Sequence, residues 1–424
     1  MVSLRTISHY GVSTAINFGS IFLALAARLA VNFQAGAAAF GAFTVWYNSL
    51  MLFGLVGTAG YQNFALREIA AAESRKDAKL AAALSVDGAR ISGFVGLAAG
   101  IIGAMFYGVA QGGTWTSAIT LAIATPLMAV LTSLSAVHRA RGYAIIGISF
   151  DRVMYQLLFI ACLYGLGRMM RLSPIVEPIF LTCLALSALA STAFLVSYER
   201  LPLSAFWYGT RIRDRLAELA PYFAMVGVFT ANSRYLLGLA GIVFSGAALG
   251  KVGFDFTISS IITLPTATLN LVFGPPIARM IAQGPVREAR RRAVHYILLN
   301  LLCSAAVAVA VLAIYAMAIE MARIPWSGDY GLISLLVVSF AVSGATNGLI
   351  IISQFQGSAT RTAWMLFAIL VAKIIIGGAS MLVVGFEAMV MADIILGLLF
   401  FALIFAGSLR DFARAQSSAV GEPA

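Results

Sequence analysis

Charge is scarce in this chain. Asp, Glu, Lys and Arg together make up 11% of its 424 residues, against 61% apolar residues, and the mean hydropathy is +0.94. A soluble domain carries about 25% charged and roughly 45–50% apolar residues, so water is excluded as the main solvent. Cysteine and histidine are scarcer still, at 3 residues each. Cys162, Cys183 and Cys303 stand apart inside apolar runs, which excludes a disulfide or metal framework legible from spacing and reads them as small packing residues. His9, His138 and His295 form no HExxH pair, and GxSxG, Walker A and CxxC motifs are missing. Long polar stretches are missing as well. The largest gaps between apolar runs reach about 20–28 residues, short of the roughly 50 that a soluble domain needs. The chain therefore reads as a non-enzyme, with no catalytic residue, metal or organic cofactor.

What is present is a series of apolar runs long enough to cross roughly 30 Å of hydrocarbon as helices. They fall near 10–33, 40–64, 92–110, 116–137, 151–167, 175–197, 220–244, 253–277, 293–319, 331–353, 363–384 and 386–408. The last two are divided only by a turn expected at Gly385, Phe386 and Glu387. The net charge of +11 would suggest nucleic acid in a soluble protein, but its placement points elsewhere. Of the 28 basic residues, Arg168, Arg171, Lys251 and Arg323 lie in odd-numbered gaps and Arg28, Arg234 and Lys373 inside spans. The others flank the termini or the even-numbered gaps, so the positive-inside rule puts both termini in the cytoplasm. The basic loops then serve topology and contact with anionic membrane lipids, not nucleic acid. The first apolar run exceeds a signal-peptide core, and no cleavable leader is expected.

The stretch FGAFTVWYNSLMLFGLVGTAGYQNFALREIA, from Phe40 to Ala70, corresponds to LGKVGFDFTISSIITLPTATLNLVFGPPIARMIA, from Leu249 to Ala282. Each opens on an apolar residue and Gly, passes through an aromatic span dotted with Ser and Thr, and ends near an Arg, as two duplicated six-helix halves would. The first stretch, with its terminal Arg67 and Glu68, resembles the second-span signature of bacterial polysaccharide flippases, the Wzx-type branch of the multidrug/oligosaccharidyl-lipid/polysaccharide (MOP) exporter superfamily. SLSAVHRARGYAIIGISFDRV resembles that family's basic turn between the fourth and fifth spans, through Arg139, Arg141, Gly142 and Arg152. A third match opens the second half: Pro221, Arg234, then Leu249 and Gly250. Ser233 stands where the family commonly has an acidic residue before the Arg.

The resemblance implies an all-α polytopic fold like that of the MATE transporters, with two six-helix bundles forming a V around a cavity that opens alternately to either side. The bundles would be residues 1–199 and 220–410, joined by a basic amphipathic cytoplasmic connector at 200–219 and followed by a cytoplasmic tail at 411–424. It also implies a substrate, an oligosaccharide on polyprenyl pyrophosphate turned from the cytoplasmic to the outer leaflet of a bacterial inner membrane. The polysaccharide polymerase machinery is then a candidate partner.

Physical reading of the in-span charges agrees in sign. A cation at bilayer depth costs a few kcal/mol, so Arg28, Arg234 and Lys373 are the candidate substrate-binding residues, suited to phosphate oxygens. The competing reading pairs each with an intramembrane acid such as Asp255 or Asp393. Those two carboxylates are the candidates for ion coupling. Asn48, Asn63, Asn232, Asn270 and Asn347 lie in spans, where bonds to sugar hydroxyls and bonds between helices explain them equally. Pro126, Pro221, Pro265, Pro275 and Pro276 mark bends, and Trp46, Tyr47, Trp115, Trp207, Trp326 and Trp364 read as interface anchors. A MATE-like exporter of amphipathic cations is the alternative and predicts an acid-rich site. An embedded glycan polymerase or ligase predicts a large outer loop, whereas the longest here spans about 11 residues.

Overall fold

The computed structural model describes residues 4–167, 172, 175–198, 212–263, 269, 286–322, 330–356 and 359–420. Thirteen helices and no strand are found among the described residues. They are α1 (Leu4–Ala35), α2 (Ala37–Gly57), α3 (Tyr61–Ser74), α4 (Ala78–Ala110), α5 (Trp115–Ala140), α6 (Ala144–Leu166), α7 (Val176–Ser197), α8 (Ile212–Val243) and α9 (Gly246–Ser259) in the first part of the chain. There follow α10 (Val286–Ala322), α11 (Tyr330–Phe355), α12 and α13 (Phe386–Val420). Helix α12 runs from Ala359–Ala372 through a π turn at Lys373–Gly377 into Gly378–Val383, and α6 contains a similar π turn at Ser149–Met154.

Ten of these helices, among the described residues, are long and apolar enough to cross a membrane, and Phe22–Ala35 adds a shorter apolar segment. The span expected at 253–277 is described only to residue 263 and at 269. Asn270, Pro265, Pro275, Pro276, Trp207 and Trp326 lie outside the described residues, as does the connector up to residue 211. Residues 212–219, expected as its end, are already helical within α8. The turn expected at Gly385 is present. Gly385 has φ of 125°, a left-handed conformation that favours glycine, and its N–H donates to Ser380 O at 3.3 Å.

The second span ends earlier than its apolar run suggests. At Ala59 and Gly60 φ reaches 51° and 73°, so the helix stops at Gly57 and α3 begins as a separate element. A Cβ on Gly60 would lie 2.5 Å from the backbone of Tyr222, so close packing against α8 imposes this break. Trp46, expected at an interface, is instead fully buried, with its indole N–H donating to Ser117 O at 2.9 Å.

By contact the chain groups into two compact units, Met1–Gly253 and Phe254–Ala424. In the first, α4 lies along α5 and both pack on α2. Backbones approach closely there, since a Cβ on Gly57 would lie 2.8 Å from Gly96 Cα. This is how membrane helices gain packing energy without a hydrophobic drive. The core gathers large rings around α2: Phe40, Phe43, Trp46, Tyr155, Phe159 and Phe180 are fully buried. In the second unit, α11 packs between α10 and α13. Phe94, Ile102, Met105, Leu302 and Leu382 point away from protein, as a lipid-facing surface requires.

The sequence correspondence has a counterpart in space. Matching Phe40–Gly41 with Leu249–Gly250 also matches Ala37 with Gly246 and Thr44 with Gly253. A Cβ on Gly41 would meet Gly250 N at 2.6 Å and Gly246 O at 2.7 Å, while one on Gly250 would meet Ala37 O at 2.5 Å. One on Gly253 would meet Thr44 at 2.9 Å. Each contact maps onto itself or its mirror, the reciprocity of a two-fold interface, here between α2 and the start of α9.

Candidate functional site

Inside the first unit, four elements carry polar groups within apolar helices. Helix α1 supplies Arg28 and, one turn on, Asn32; α2 supplies Tyr47 and Asn48; α6 supplies Tyr155 and Gln156; and α8 supplies Asn232 and Arg234. The Arg28 guanidinium carbon lies 4.6 Å from the centre of the Tyr47 ring, a cation–π contact. Asn48 Nδ2 donates to the carbonyl of Arg234 at 3.3 Å, fixing α8 against α2. Gln156 Nε2 donates to the Tyr155 hydroxyl at 3.2 Å, and Arg28 and Tyr47 lie within electrostatic reach of Arg234. Two guanidiniums predicted from sequence as separate candidates therefore share one neighbourhood.

The aromatic core shapes this neighbourhood. Phe43 stacks on Phe159 at 5.4 Å, and Phe180 meets both Phe159 at 5.1 Å and Tyr47 at 5.6 Å. Arg28, Phe43, Tyr47, Gln156, Phe159 and Phe180 line a common pocket. The side-chain oxygens of Asn32, Asn48, Gln156 and Asn232 are buried and find no hydrogen-bond partner among the described residues. A buried acceptor left so costs about 1–3 kcal/mol, which a donor on a ligand would recover. The pocket thus offers the Arg28 cation, aromatic faces and the open amide oxygen of Gln156, while Asn48 is bonded to the Arg234 carbonyl nearby.

The remaining sequence candidates belong to the second unit and form separate pairs. Lys373 Nζ lies 2.8 Å from Asp393 Oδ1, with both residues 3% exposed, and Ser339 Oγ donates to the other carboxylate oxygen. Asp255, 1% exposed, accepts from the Tyr315 hydroxyl at 3.1 Å. Lys373 therefore has the acidic partner that the competing reading named, and it opens the π turn of α12. Such turns recur at functional sites because they rotate side chains out of the α register.

Sequence reasoning missed Asn32, Tyr155 and Gln156, uncharged groups whose only signal was polarity inside an apolar helix. It also missed three buried acids. Asp87 is 3.8 Å from Arg90, Asp151 accepts from Thr132 Oγ1 at 3.2 Å, and Glu177 accepts from Ser117 Oγ at 3.4 Å. Cys162 and Cys183, read as scattered, are neighbours across α6 and α7.

No family model and no curated protein sequence matches the chain. Solved structures do. The eukaryotic MATE transporter AtDTX14 matches with 14% identity and a TM-score of 0.67, over 96% of this chain and 97% of that one. A multidrug resistance MATE family transporter of the MOP superfamily matches in its inward-facing conformation with 13% identity and a TM-score of 0.69, over 92% and 95%. In its outward-facing conformation the figures are 14%, 0.66, 96% and 96%. At these identities the likeness establishes architecture, and the chain has the helical membrane fold of the MATE transporters.

Proposed function

We propose that this protein moves an oligosaccharide linked to polyprenyl diphosphate from the cytoplasmic to the outer leaflet by alternating access. The observation that carries the reading is that Arg28, seated on the Tyr47 ring, lies within electrostatic reach of Arg234, whose carbonyl is bonded to Asn48. Two cations gathered at bilayer depth are costly, and a dianionic diphosphate that bridges them offsets the cost. Guanidiniums bind phosphate oxygens in pairs, and the two arginines come from the first helix of each sequence repeat, which suits a headgroup of two phosphates. The open amide oxygens of Gln156, which lines the pocket, and of Asn48, which is bonded to the Arg234 carbonyl, then receive sugar hydroxyls. No covalent chemistry is required.

In this reading the six-span halves are 1–199 and 220–410, the basic loops and both termini face the cytoplasm of an inner membrane, and the polysaccharide polymerase machinery takes the product. Lys373 is held in reserve by Asp393, and ion coupling is assigned to Asp393 or Asp255. Proton uptake by Asp393 would release Lys373 for the substrate.

A second reading, ion-coupled export of small amphipathic cations, is favoured by the aromatic wall of Phe43, Tyr47, Phe159 and Phe180, which suits cation–π binding. Reconstituted vesicles separate the two. Labelled polyprenyl diphosphate oligosaccharide crosses in their presence, Arg28→Ala and Arg234→Ala abolish crossing at normal insertion levels, and Arg28→Lys retains charge but loses about tenfold, or 1.4 kcal/mol. Vesicles that expel a lipophilic cation but move the lipid no faster than protein-free controls would establish the second reading instead.

A further inference from the structure

The second unit carries a concentration of charge that the proposed transport mechanism does not use. The opening turns of α10 bear Arg287, Arg290, Arg291 and Arg292, all with exposed side chains. Glu288 pairs with Arg292 at 2.8 Å, which leaves three guanidiniums on the remaining surface. His295, on the next turn, is exposed and bonded through Nδ1 to the Arg291 carbonyl at 2.7 Å.

Three helical turns further along the same helix lies a groove of about 170 Å³. Leu301 and Ala305 of α10 form one wall, Leu398 and Phe401 of α13 the other, and the small residues Ala341 and Ala345 of α11 form the floor. The two features share a face. Eleven residues make almost exactly three turns, so Arg287 stands over Leu298 and Arg290 over Leu301, while Arg287 and Ala305 are five turns apart. The separation from Arg290 to Leu301 is about 16 Å at 1.5 Å per residue, the depth from a headgroup to the lower part of an acyl chain in the same leaflet. Leu298 and Leu302 beside it are 51% and 69% exposed, so this face opens to the hydrocarbon.

We propose that α10, α11 and α13 form a binding site for one anionic glycerophospholipid, its phosphate on Arg287, Arg290 and Arg291 and one acyl chain in the groove beneath. Charge complementarity selects the headgroup, because a zwitterionic lipid presents the arginines with an ammonium as well as a phosphate. The groove distinguishes this site from the diffuse attraction that any basic loop exerts on an anionic leaflet. None of its residues belongs to the substrate or coupling groups proposed above.

Native mass spectrometry of the full chain in detergent, titrated with phosphatidylglycerol or phosphatidylcholine, tests it. One phosphatidylglycerol should bind with a preference on the order of a hundredfold over phosphatidylcholine. The combined R287Q/R290Q/R291Q variant should lose that preference. Ala305→Phe, which fills the groove at a lipid-facing position, should lose the adduct with every arginine in place. Thermal melting of both variants controls for folding, and Ala305→Ser, which leaves the groove open, should bind as the parent does. Retention of the adduct by Ala305→Phe would overturn the site and leave only surface attraction. Displacement of phosphatidylglycerol by polyprenyl diphosphate at equal concentration would overturn the phospholipid and give the groove to the transported lipid.

Discussion

At the scale of single residues, charge inside a span was the legible signal, because a desolvated cation or carboxylate must be explained in any apolar run. Arg28, Arg234, Lys373, Asp255 and Asp393 all stood out in this way. Their partners did not, since pairing depends on the rotation of one helix against another. Lys373 illustrates this: twenty residues separate it from Asp393, yet the π turn and the reversal at Gly385 bring them to 2.8 Å. Removing one member of such a buried pair strands the other charge, at a cost of about 3–5 kcal/mol, while replacing both by apolar residues is near neutral. Lys373→Met and Asp393→Leu should each lower the melting temperature in detergent strongly, and the double variant should recover most of the loss. If the recovered double variant also loses dependence on an imposed pH gradient while still binding substrate, the pair couples transport. Full coupling in that variant would make it purely structural.

At the scale of elements, ten of the twelve expected spans have a counterpart among the described residues, legible from hydropathy because lipid forbids unpaired backbone, although their ends differ from the apolar runs. Interruptions were not legible. Thr58, Ala59 and Gly60 continue an apolar run, yet the chain turns there with positive φ at Ala59 and Gly60, where the backbone of Tyr222 leaves no room for a side chain on Gly60. The π turns at Ser149–Met154 and Lys373–Gly377 likewise leave no trace in composition. Trp46 looked like an interface residue because its ring has a polar edge, but that edge is used internally by Ser117. The repeat was legible as a weak match and gains weight from the reciprocal contact of Gly41 with Gly250. A methyl group at either position would push α2 and α9 apart, at roughly 1–3 kcal/mol for overpacking. Gly41→Ala and Gly250→Ala should each destabilise the protein by that amount. Because both remove the same approach, the double variant should cost clearly less than the sum, as a double-mutant cycle of thermal unfolding would register. Additive losses would mean that the two glycines serve separate contacts.

At the scale of the whole molecule, the placing of the arginines predicts an orientation in the bilayer. Even-numbered gaps carry Arg75, Lys76 and Lys79, then Arg139 and Arg141, then the Arg287–Arg292 cluster. The turns at Gly112 and Gly385 are free of basic residues. Such a bias orients insertion because translocating a Lys or Arg near a span is disfavoured, and here the sign is the same at each even gap. One segment inverted against the rule would place several arginines on the wrong side, whereas the MATE fold requires that successive spans alternate. Single cysteines placed at Gly112, Lys76, Arg141 and Arg287, in a background whose three native cysteines are replaced by alanine, test the arrangement. A membrane-impermeant maleimide added to intact cells should label only the Gly112 site, and the other three should react only after the membrane is opened. Labelling of Arg287→Cys in intact cells would contradict the positive-inside reading and require an even number of spans between Gly112 and residue 287 in place of the odd number inferred from sequence.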